Sequence, residues 1–226
     1  MNYILKRKLL HFFFPTRCPV CGEFIGALDS FCPACTDKVT SFRGSADIKG
    51  ASGFTAAFEY DINISPAVIL LKKGVCGNAD YALGRALAGR LKENNVPGNV
   101  DIIVPVPLHR SARRRRGFNQ TELISAVVSR ELGIPVVSNA LEKSAKTADQ
   151  KHLDSIHRRT NLRGAFRAVR PELISGKRVL LIDDVSTTGS TLVELTELLL
   201  ASGASSVHCA ACCKTPPKRR KQPKDE

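Results

Sequence analysis

Several residue types that define particular protein classes are scarce in this sequence of 226 residues. Tryptophan is absent and tyrosine occurs three times, so an aromatic-rich face on which single-stranded nucleic acid could stack is not visible. No apolar run approaches the ~18 to 20 residues that a membrane-spanning helix needs. Eight cysteines are too few over this length for a disulfide-built scaffold. The sequence therefore predicts a globular chain without a membrane span.

Acidic residues are also comparatively few. The chain has 21 Asp and Glu against 34 Lys and Arg, which gives a formal net charge of +13. This excess says nothing about fold, but it predicts affinity for anions such as phosphates, nucleic acid or an acidic membrane surface. Hydrophobic residues make up 43% of the chain and charged residues 24%, which excludes a disordered or a collagen-like chain.

The N-terminal segment, residues 1–15, is basic and then apolar, so a signal peptide has to be considered. His11 interrupts the apolar stretch Leu9–Phe14, and no small residues suited to cleavage follow that stretch. We therefore expect a short amphipathic helix that docks on the body of the protein, and a cytoplasmic location.

Composition divides the chain into three regions. Residues 1–50 are cysteine-rich and end in a loop-like stretch, residues 51–214 alternate strand and helix patterns, and residues 215–226 form a basic tail that is expected to be disordered. Alternating strands and helices predict an α/β domain with a parallel sheet. The strands are expected at Phe54–Tyr60, Asp101–Val106, Val136–Val137, Arg178–Ile182 and Val207–Cys213.

Helices are predicted between these strands from the spacing of apolar residues. Asp80 is the expected N-cap of the helix that precedes the second strand. Residues 143–170 are strongly basic and have weak periodicity, which predicts a long mobile loop with a partial helix. The helical positions are the stripe Leu83, Leu87 and Leu91, and the segments Thr121–Leu132 and Ser190–Leu200.

Four of the eight cysteines form a doubled C-x-x-C pattern near the N-terminus. Each C-x-x-C makes a tight knuckle, and two knuckles supply the tetrahedral sulfur set that Zn²⁺ prefers. Two disulfides and a redox C-x-x-C are the alternatives, but a closed four-thiolate site is favoured and would be structural. The predicted zinc ligands are Cys18, Cys21, Cys32 and Cys35.

The remaining cysteines are interpreted as structural thiols. Cys209, Cys212 and Cys213 are close enough in sequence to suggest a second metal site. A strand, however, points Cys212 and Cys213 to opposite faces. Buried free thiols are therefore favoured, and Cys76 is interpreted in the same way.

The most informative segment is Val179–Thr191, an apolar strand followed by two acids and then by small hydroxyl residues around one glycine. Asp183 and Asp184 are expected at the carboxyl end of the strand, where ligands bind in open α/β sheets. Backbone N–H groups of residues 186–189 and the positive end of the next helix can surround a phosphate. The carboxylates can accept hydrogen bonds from ribose hydroxyls and help to hold Mg²⁺. An ordinary strand-to-helix connection with an N-cap is the alternative.

Three groups of residues resemble a known family. Val179–Thr191 resembles the phosphoribosyl-pyrophosphate (PRPP) motif of type I phosphoribosyltransferases. Val104–His109 with Arg116–Gln120 resembles the second signature of the ComF competence-protein family, and Thr147–Phe166 resembles its third. The N-terminal cysteines are similar to the zinc-ribbon head of that family, although many relatives carry more cysteines there.

The resemblance implies an α/β, parallel-sheet type I phosphoribosyltransferase-like domain with a small N-terminal zinc ribbon. Asp183 and Asp184 would hold the ribose hydroxyls in catalysis, Mg²⁺ would bind with PRPP, and Zn²⁺ would be structural in the head. Residues 143–163, with Thr147 and Gln150, would be the flexible loop that closes over PRPP. The PRPP-binding residues would be Val185, Ser186, Thr187, Thr188, Gly189, Ser190 and Thr191 at the 5′-phosphate, Pro105, Val106 and Pro107 in the pyrophosphate loop, and Arg110 and Arg116 next to it.

A run of arginines, Arg110 and Arg113–Arg116, follows the expected pyrophosphate loop. Guanidinium groups match phosphate oxygens bidentately. A solvated charge run is the alternative, and it carries most weight for Arg113–Arg115. Asn119 and Gln120 are expected either to bind polar groups of a substrate or to cap the following helix.

The favoured function is a Mg²⁺-dependent phosphoribosyltransferase whose acceptor the sequence does not identify, in the context of natural competence and DNA uptake. A non-catalytic competence protein that binds single-stranded DNA with the same fold is the alternative, because the charge and the zinc ribbon fit a phosphate backbone. A PRPP-sensing regulator ranks last. The expected partners are PRPP and, under the alternative, single-stranded DNA and other competence proteins, while the oligomeric state is not assigned.

Overall fold

A computed structural model of the chain describes residues 3–73, 78–143 and 164–216. Helices and strands alternate over the larger part of it, as the sequence pattern predicts. The helices are α1 (Tyr3–Phe13), α2 (Pro33–Thr36), α3 (Ser65–Lys73), α4 (Ala79–Glu93), α5 (Arg110–Arg116), α6 (Gln120–Leu132) and α7 (Ser190–Ala201). The strands are β1 (Gly53–Glu59), β2 (Ile102–Pro105), β3 (Leu141–Lys143), β4 (Phe166–Ala168), β5 (Arg178–Ser186) and β6 (Ser206–Lys214).

The main sheet is parallel and has four strands in the order β1–β6–β5–β2. The predicted fold class, α/β with a parallel sheet, is confirmed. The predicted strand Val136–Val137 is reduced to one parallel bridge between Val136 and Ile103. A separate antiparallel pair, β3 with β4, lies partly within the stretch that the sequence pattern predicted as a loop.

Strand β5 forms the centre of the body because both of its faces are buried. Leu180 and Ile182 belong to a core cluster that includes α4 and α6, whereas Val179 and Leu181 belong to the cluster on the α7 side. None of these four side chains is exposed, and full burial of each contributes about 1.5–3 kcal/mol. This pattern of continuous apolar residues is typical of a strand in a parallel sheet.

Helices α4 and α6 pack closely on one face of the sheet. The predicted stripe Leu83, Leu87 and Leu91 of α4 is fully buried. Gly84 makes the close approach possible, since a Cβ atom there would lie 2.7 Å from the Cβ of Val127 in α6. A methyl group at this position would therefore push the two helices apart.

The structure corrects three details of the predicted elements. Asp80 lies in the first turn of α4, and Asn78, in the left-handed conformation, occupies the N-cap position instead. The arginine run forms the short helix α5. Strand β5 continues beyond Ile182 to Ser186 because its later residues keep pairing with β6, up to the pair Ser186 and Lys214. The acidic pair therefore lies inside the strand rather than after it.

The N-terminal region packs on the body through polar and aromatic contacts. Phe31 stacks edge-on against Phe58 of β1 at 5.8 Å between ring centroids. The carbonyl oxygen of Leu28 accepts hydrogen bonds from Arg85 at 2.9 Å and from the Tyr81 hydroxyl at 3.3 Å. These contacts fix the cysteine-containing segment against α4.

Membrane crossing is not supported by any helix in the described ranges, because each falls short of the length and apolar character that a bilayer span requires. The predicted closing loop, residues 143–163, lies almost entirely outside the described residues, as do Cys76 and residues 217–226 of the predicted tail.

Candidate functional site

The central strand extends further than its neighbour β2, which leaves a notch at the carboxyl edge of the sheet. The last strand-to-strand contact is the hydrogen bond from the Val106 N–H to the Ile182 carbonyl oxygen, at 2.9 Å. Beyond it, residues 183–186 of β5 pair with β6 on one side only, as far as the described chain shows. We call this opening the sheet notch. Ligands of parallel α/β sheets bind at this edge.

The two acids lie on opposite faces of β5, because successive side chains of a strand alternate. Asp183 borders a small cavity on the α7 side, and its Oδ1 accepts a hydrogen bond from the Asp184 N–H at 2.8 Å. Burial, followed by the charge of Asp184, raises the pKa of Asp183 well above its ordinary value. A bound cation or a hydroxyl donor would favour the ionised form.

Asp184 points to the α3 side, where it meets a lysine that the sequence pattern did not single out. Its Oδ2 lies 3.0 Å from the Nζ of Lys72, and its Oδ1 accepts a hydrogen bond from the Val185 N–H at 2.9 Å. The Asp184 side chain is 9% exposed, whereas that of Lys72 is 39% exposed. The lysine thus neutralises a buried carboxylate at the edge of the notch. Only the tertiary fold joins these two residues, which are far apart in sequence.

The turn between β5 and α7, residues 186–191, forms the wall of the small cavity, and we call it the hydroxyl loop. The cavity has a volume of about 30 Å³. Within the described chain, the backbone N–H groups of Thr187, Thr188 and Gly189 have no hydrogen-bond acceptor. The N-terminus of α7 adds a positive partial charge at the same place. The cavity is lined by Asp183, Val185, Ser186, Thr187, Gly189, Ser190, Thr191 and Leu192.

Two buried hydroxyl groups at this loop lack partners. Neither the Oγ of Ser186 nor the Oγ1 of Thr215 has a hydrogen-bond partner in the part of the chain that the structure describes. The residues are neighbours, because the Thr215 N–H donates to the Ser186 carbonyl oxygen at 3.0 Å. Buried polar atoms without partners are unfavourable. A bound anion with several acceptor oxygens would satisfy such hydroxyls.

Gly189 is required by backbone geometry and by space. Its φ is +82°, in the left-handed region that favours glycine. A Cβ atom at this position would lie 2.8 Å from the Cδ1 of Ile48. The segment that connects the cysteine region to the body therefore presses directly on the hydroxyl loop.

Lys214 brings a second cation to the hydroxyl loop. It ends β6, and its Nζ donates a hydrogen bond to the Thr187 carbonyl oxygen. Partial burial lowers the pKa of Lys214. The sequence pattern assigned this lysine no role, and its position follows only from the register of β6 against β5.

The predicted pyrophosphate loop, residues 105–107, offers no free main-chain donor. Pro105 and Pro107 lack an N–H, and the Val106 N–H is already bonded to β5. The Val106 carbonyl oxygen accepts hydrogen bonds from Asn119 Nδ2 at 3.1 Å and from Thr121 Oγ1 at 2.7 Å. Val106, Asn119 and Thr121 therefore form one side of the notch. Any anion that contacts the backbone of this loop would have to use the N–H groups that follow Pro107.

Asn119 acts as the helix cap that was one of its two expected roles. Its Oδ1 accepts a hydrogen bond from the Thr121 N–H at 3.2 Å, and the residue is buried. Gln120 is also buried and accepts a hydrogen bond from Arg116 at 3.0 Å. Both side chains therefore hold α6 and α5 in place next to the notch.

Most of the arginines of α5 are paired with acids or amides. Arg110 donates to both carboxylate oxygens of Glu142, at 3.1 and 2.9 Å, and Arg113 pairs with an acid of α6. Hydrogen bonds from Arg167 and then from Arg110 lower the pKa of Glu142. Arg114 and Arg115 are exposed, and no residue of the described ranges pairs with them.

The four N-terminal cysteines come together as the doubled C-x-x-C pattern predicts. Their Sγ atoms lie within 4.8 Å of one another, and those of Cys21 and Cys32 are 3.6 Å apart. A zinc ion bound to four sulfur atoms at about 2.3 Å fits a cluster of this size. Burial raises the pKa of Cys18, but backbone hydrogen bonds from Cys21, Cys32 and Val20 outweigh it and lower the pKa to about 7. Burial instead raises the pKa of Cys35, and the pKa of Cys32 is also raised. The geometry of the four sulfur atoms is therefore what supports one metal site.

The C-terminal cysteines are buried thiols, as expected. Cys212 and Cys213 belong to the same core cluster, whereas Cys209 faces α7. Burial raises the pKa of Cys209 to about 11 and that of Cys213 to about 12. The N-terminal cluster is the one group of metal-ligating side chains that meets in the described part of the chain.

The parallel sheet, the notch at its carboxyl edge and the four-thiolate head define the class: a phosphoribosyltransferase-type domain with an N-terminal zinc ribbon. Residues 79–226 match the phosphoribosyl transferase domain family, and residues 9–46 match the double zinc ribbon domain family. The described cysteines of this region supply one four-sulfur site.

Curated relatives narrow the class further. The chain is 33% identical over 206 residues to DNA utilization protein YhgH of Escherichia coli, and the match covers 88% of this chain and 85% of that protein. It is 42% identical over 154 residues to Competence protein F of Haemophilus influenzae, 64% of this chain and 66% of that protein. Competence protein ComFC of Bacillus subtilis is 29% identical over 105 residues, 46% of this chain and 40% of that protein. The chain belongs to the ComF family.

Two solved structures are similar to this chain at lower identity. Glutamine PRPP amidotransferase of B. subtilis is 22% identical with a TM-score of 0.41, and the match covers 62% of this chain and 26% of that one. Adenine phosphoribosyltransferase of Saccharomyces cerevisiae is 17% identical with a TM-score of 0.41, and the match covers 60% of this chain and 68% of that one.

Proposed function

We propose that this protein binds PRPP together with Mg²⁺ in the sheet notch and transfers the phosphoribosyl group to an acceptor. The observation that carries the proposal is the hydroxyl loop. Three backbone N–H groups without acceptors belong to this turn, and the unpaired Ser186 hydroxyl and the N-terminus of α7 lie at the same turn, which lines one small cavity. That set of donors matches a phosphate monoester better than any neutral ligand.

The ribose of PRPP would lie over the end of β5. Asp183, from the α7 face, and Asp184, from the α3 face, would approach its hydroxyls from two sides of the strand. The same carboxylates supply oxygen atoms of the kind that Mg²⁺ binds. When bound, Mg²⁺ supplies positive charge for the pyrophosphate oxygens.

The transfer reaction breaks the bond between C1 of the ribose and the pyrophosphate oxygen, and it forms a bond from C1 to the acceptor. The electron pair of the broken bond leaves with pyrophosphate, so negative charge grows on the leaving group. The chain contributes position and cationic side chains rather than a covalent nucleophile. Arg110 and Lys72, which pair with Glu142 and Asp184, would be able to turn towards this charge.

A second candidate function is the binding of single-stranded DNA in the same protein. The specific observation is that Arg114 and Arg115 of α5 are exposed and lack acidic partners among the described residues. Phosphate contacts of this kind give sequence-independent binding that weakens steeply with salt. The names of these relatives refer to DNA utilization and competence, which makes DNA handling the proposed context.

Titration of the zinc-loaded protein with PRPP, with and without Mg²⁺, tests the main proposal. We expect saturable binding that requires Mg²⁺, a loss of roughly tenfold or more in affinity for Ser186→Ala, and no binding or PRPP turnover for Asp183→Asn with Asp184→Asn. Asp101→Asn is the matched control, because Asp101 pairs with Arg178 at the opposite end of the sheet.

The outcomes separate the two functions. PRPP binding that is unchanged by Ser186→Ala and by both aspartate substitutions would overturn the assignment of the notch. Single-strand binding that survives the aspartate substitutions but weakens in Arg114→Gln with Arg115→Gln would support the second candidate. Identical DNA affinity in that arginine variant would remove its structural basis.

A further inference from the structure

Helix α1 presents its apolar side chains outward, which is the reverse of an ordinary surface helix. None of its residues is buried. Its apolar positions follow the spacing i, i+4, i+7 and i+8, so they share one face of the helix. They are exposed by 57%, 52%, 80% and 66%, in chain order. We call them the α1 apolar stripe: Leu5, Leu9, Phe12 and Phe13.

The opposite side of α1 carries Tyr3 and Arg7, whose side chains make contacts with the body. The guanidinium of Arg7 lies 3.5 Å from the ring centroid of Tyr81 and donates to the carbonyl oxygen of Ala27 at 3.0 Å and to Asn78 Oδ1 at 2.6 Å. The guanidinium of Arg130 lies 3.9 Å from the ring centroid of Tyr3. These contacts fix the rotation of the helix about its axis and direct the stripe outward, and Phe13 at its end also borders a cavity that Leu71 and Phe118 of the body line.

The charged side chains of α1 itself are all basic. Lys6 and Lys8 are exposed and lie on either side of it along the helix surface. No Asp or Glu occurs before Glu23 in the sequence. Arg17, also exposed, stacks on the exposed ring of Phe24 at 4.0 Å and extends the basic and aromatic surface beyond the end of α1. An apolar stripe between two lysines is the pattern of a helix that lies in a bilayer interface.

We propose that the α1 apolar stripe is a membrane-docking surface that inserts into the headgroup region of an anionic lipid bilayer. An eleven-residue helix is too short to span a bilayer, so it would lie in the membrane plane with its apolar face about 5–10 Å deep. Lys6 and Lys8 would reach anionic headgroups, because their stems can follow the stripe while their ammonium groups stay in water.

The same charges argue against the other occupants of this face. A second copy of the chain, packed stripe to stripe, would bring the lysines of both copies together and lose stability by like-charge repulsion. A groove on another protein would need acidic residues on both rims. A nucleic acid would satisfy the lysines, but it would leave the leucine positions without an apolar partner.

Fluorescence tests the proposal sharply because the chain contains no tryptophan. Phe12→Trp places a single reporter in the stripe, and Ile62→Trp, at a position that is 85% exposed between β1 and α3, is the matched control. With vesicles of phosphatidylcholine and phosphatidylglycerol we expect a blue shift for Phe12→Trp, quenching by brominated acyl chains, and neither effect for Ile62→Trp. Pure phosphatidylcholine vesicles should bind more weakly.

Vesicle flotation of the full, zinc-loaded chain gives a second measurement. Phe12→Ser with Phe13→Ser should lower binding by roughly tenfold or more, and Lys6→Gln with Lys8→Gln should reduce it only for anionic vesicles. Circular dichroism and zinc content verify the fold, and Leu5→Gln with Leu9→Gln serves if the phenylalanine variant fails to fold. No blue shift with anionic vesicles, or equal shifts at both tryptophan positions, would overturn the proposal. The proposal would also be overturned if the natural chain formed a dimer that the Phe12 and Phe13 substitutions convert to monomer. A blue shift of the Phe12→Trp fluorescence with an oligonucleotide alone would overturn it as well.

Discussion

The ion pair between Lys72 and Asp184 allows a quantitative test of the notch. Breaking a buried pair by removing one partner costs about 3–5 kcal/mol, whereas an exposed pair is worth about 0–1 kcal/mol. The Asp184 side chain is 9% exposed and that of Lys72 39%, so solvent screens the lysine but hardly the carboxylate. We therefore expect Lys72→Met to lower the free energy of unfolding by about 1–2 kcal/mol.

A double-mutant cycle isolates this interaction from the other effects of the substitutions. Urea unfolding would be measured for the natural chain, Lys72→Met, Asp184→Asn and the double variant. Because Asp184 carries an unpaired charge once the lysine is gone, Asp184→Asn should cost less in the Lys72→Met background, with a coupling energy of about 1 kcal/mol. Lys73→Met is the matched control, since the adjacent lysine is exposed and the structure places it in no ion pair among the described residues.

Two results would refute the reasoning. Additivity of the two single substitutions within about 0.3–0.5 kcal/mol would show that the pair does not form in solution. An equal loss of stability in Lys73→Met would show that the effect belongs to the helix end and not to Asp184. Repeating the cycle with saturating PRPP and Mg²⁺ adds a test of the proposed function: the coupling should fall if the ligand takes over Asp184.

The remaining predictions concern stability and the metal. Gly84→Ala should lower the free energy of unfolding by about 1–3 kcal/mol in urea, because its Cβ would meet Val127 at 2.7 Å; Gly89→Ala, with open space around it, should not. Asp183→Asn should raise the melting temperature at neutral pH and have less effect in acid, because the pKa of Asp183 is higher in the folded than in the unfolded state. The natural chain therefore loses stability as the pH rises from the unfolded-state pKa towards the folded-state pKa. A melting temperature of this variant that falls equally at all pH values would contradict that sign. Removal of zinc with a chelator should unfold the head while the sheet persists, as a loss of protection from hydrogen exchange in residues 16–36 without a comparable loss in β5.

The sequence predicted those features that depend on short-range patterns. The spacing of the doubled C-x-x-C predicted the cluster of four cysteines, and continuous apolar runs predicted the central strands. The predicted end of β5 at Ile182 was wrong. Hydrogen bonds to β6 extend the strand past Asp183 and Asp184, and no local sequence pattern indicates that pairing. Had the strand been drawn to Ser186, alternation alone would have placed the acids on opposite faces.

Contacts made across the fold could not be predicted in this way. Lys72 is one of two adjacent lysines at a helix end, and nothing in its surroundings distinguishes it from Lys73. Lys214 reaches the hydroxyl loop only because β6 pairs in register with β5. The outward face of α1 has the same origin: the amphipathic pattern was evident, but Arg7 and Tyr81 decide which side meets the body.

The unfavourable features of this fold are concentrated near one loop. The pKa of the Asp183 carboxyl is raised well above its ordinary value, Ser186 holds an unpaired buried hydroxyl, and the three backbone N–H groups of residues 187–189 lack acceptors in the described chain. Each lowers the stability of the protein, and together they span seven residues. Two more buried atoms without a hydrogen-bond partner lie beside them, Thr215 Oγ1 and Asp184 Oδ2, of which the second has Lys72 as its ion-pair partner. The other such atoms among the described residues belong to Arg90, Ser125 and Glu194 of the helices. Binding of an anion at the donors and of a cation at Asp183 would offset these penalties together, so substitutions that relieve them singly should yield a more stable chain that binds its ligand less well.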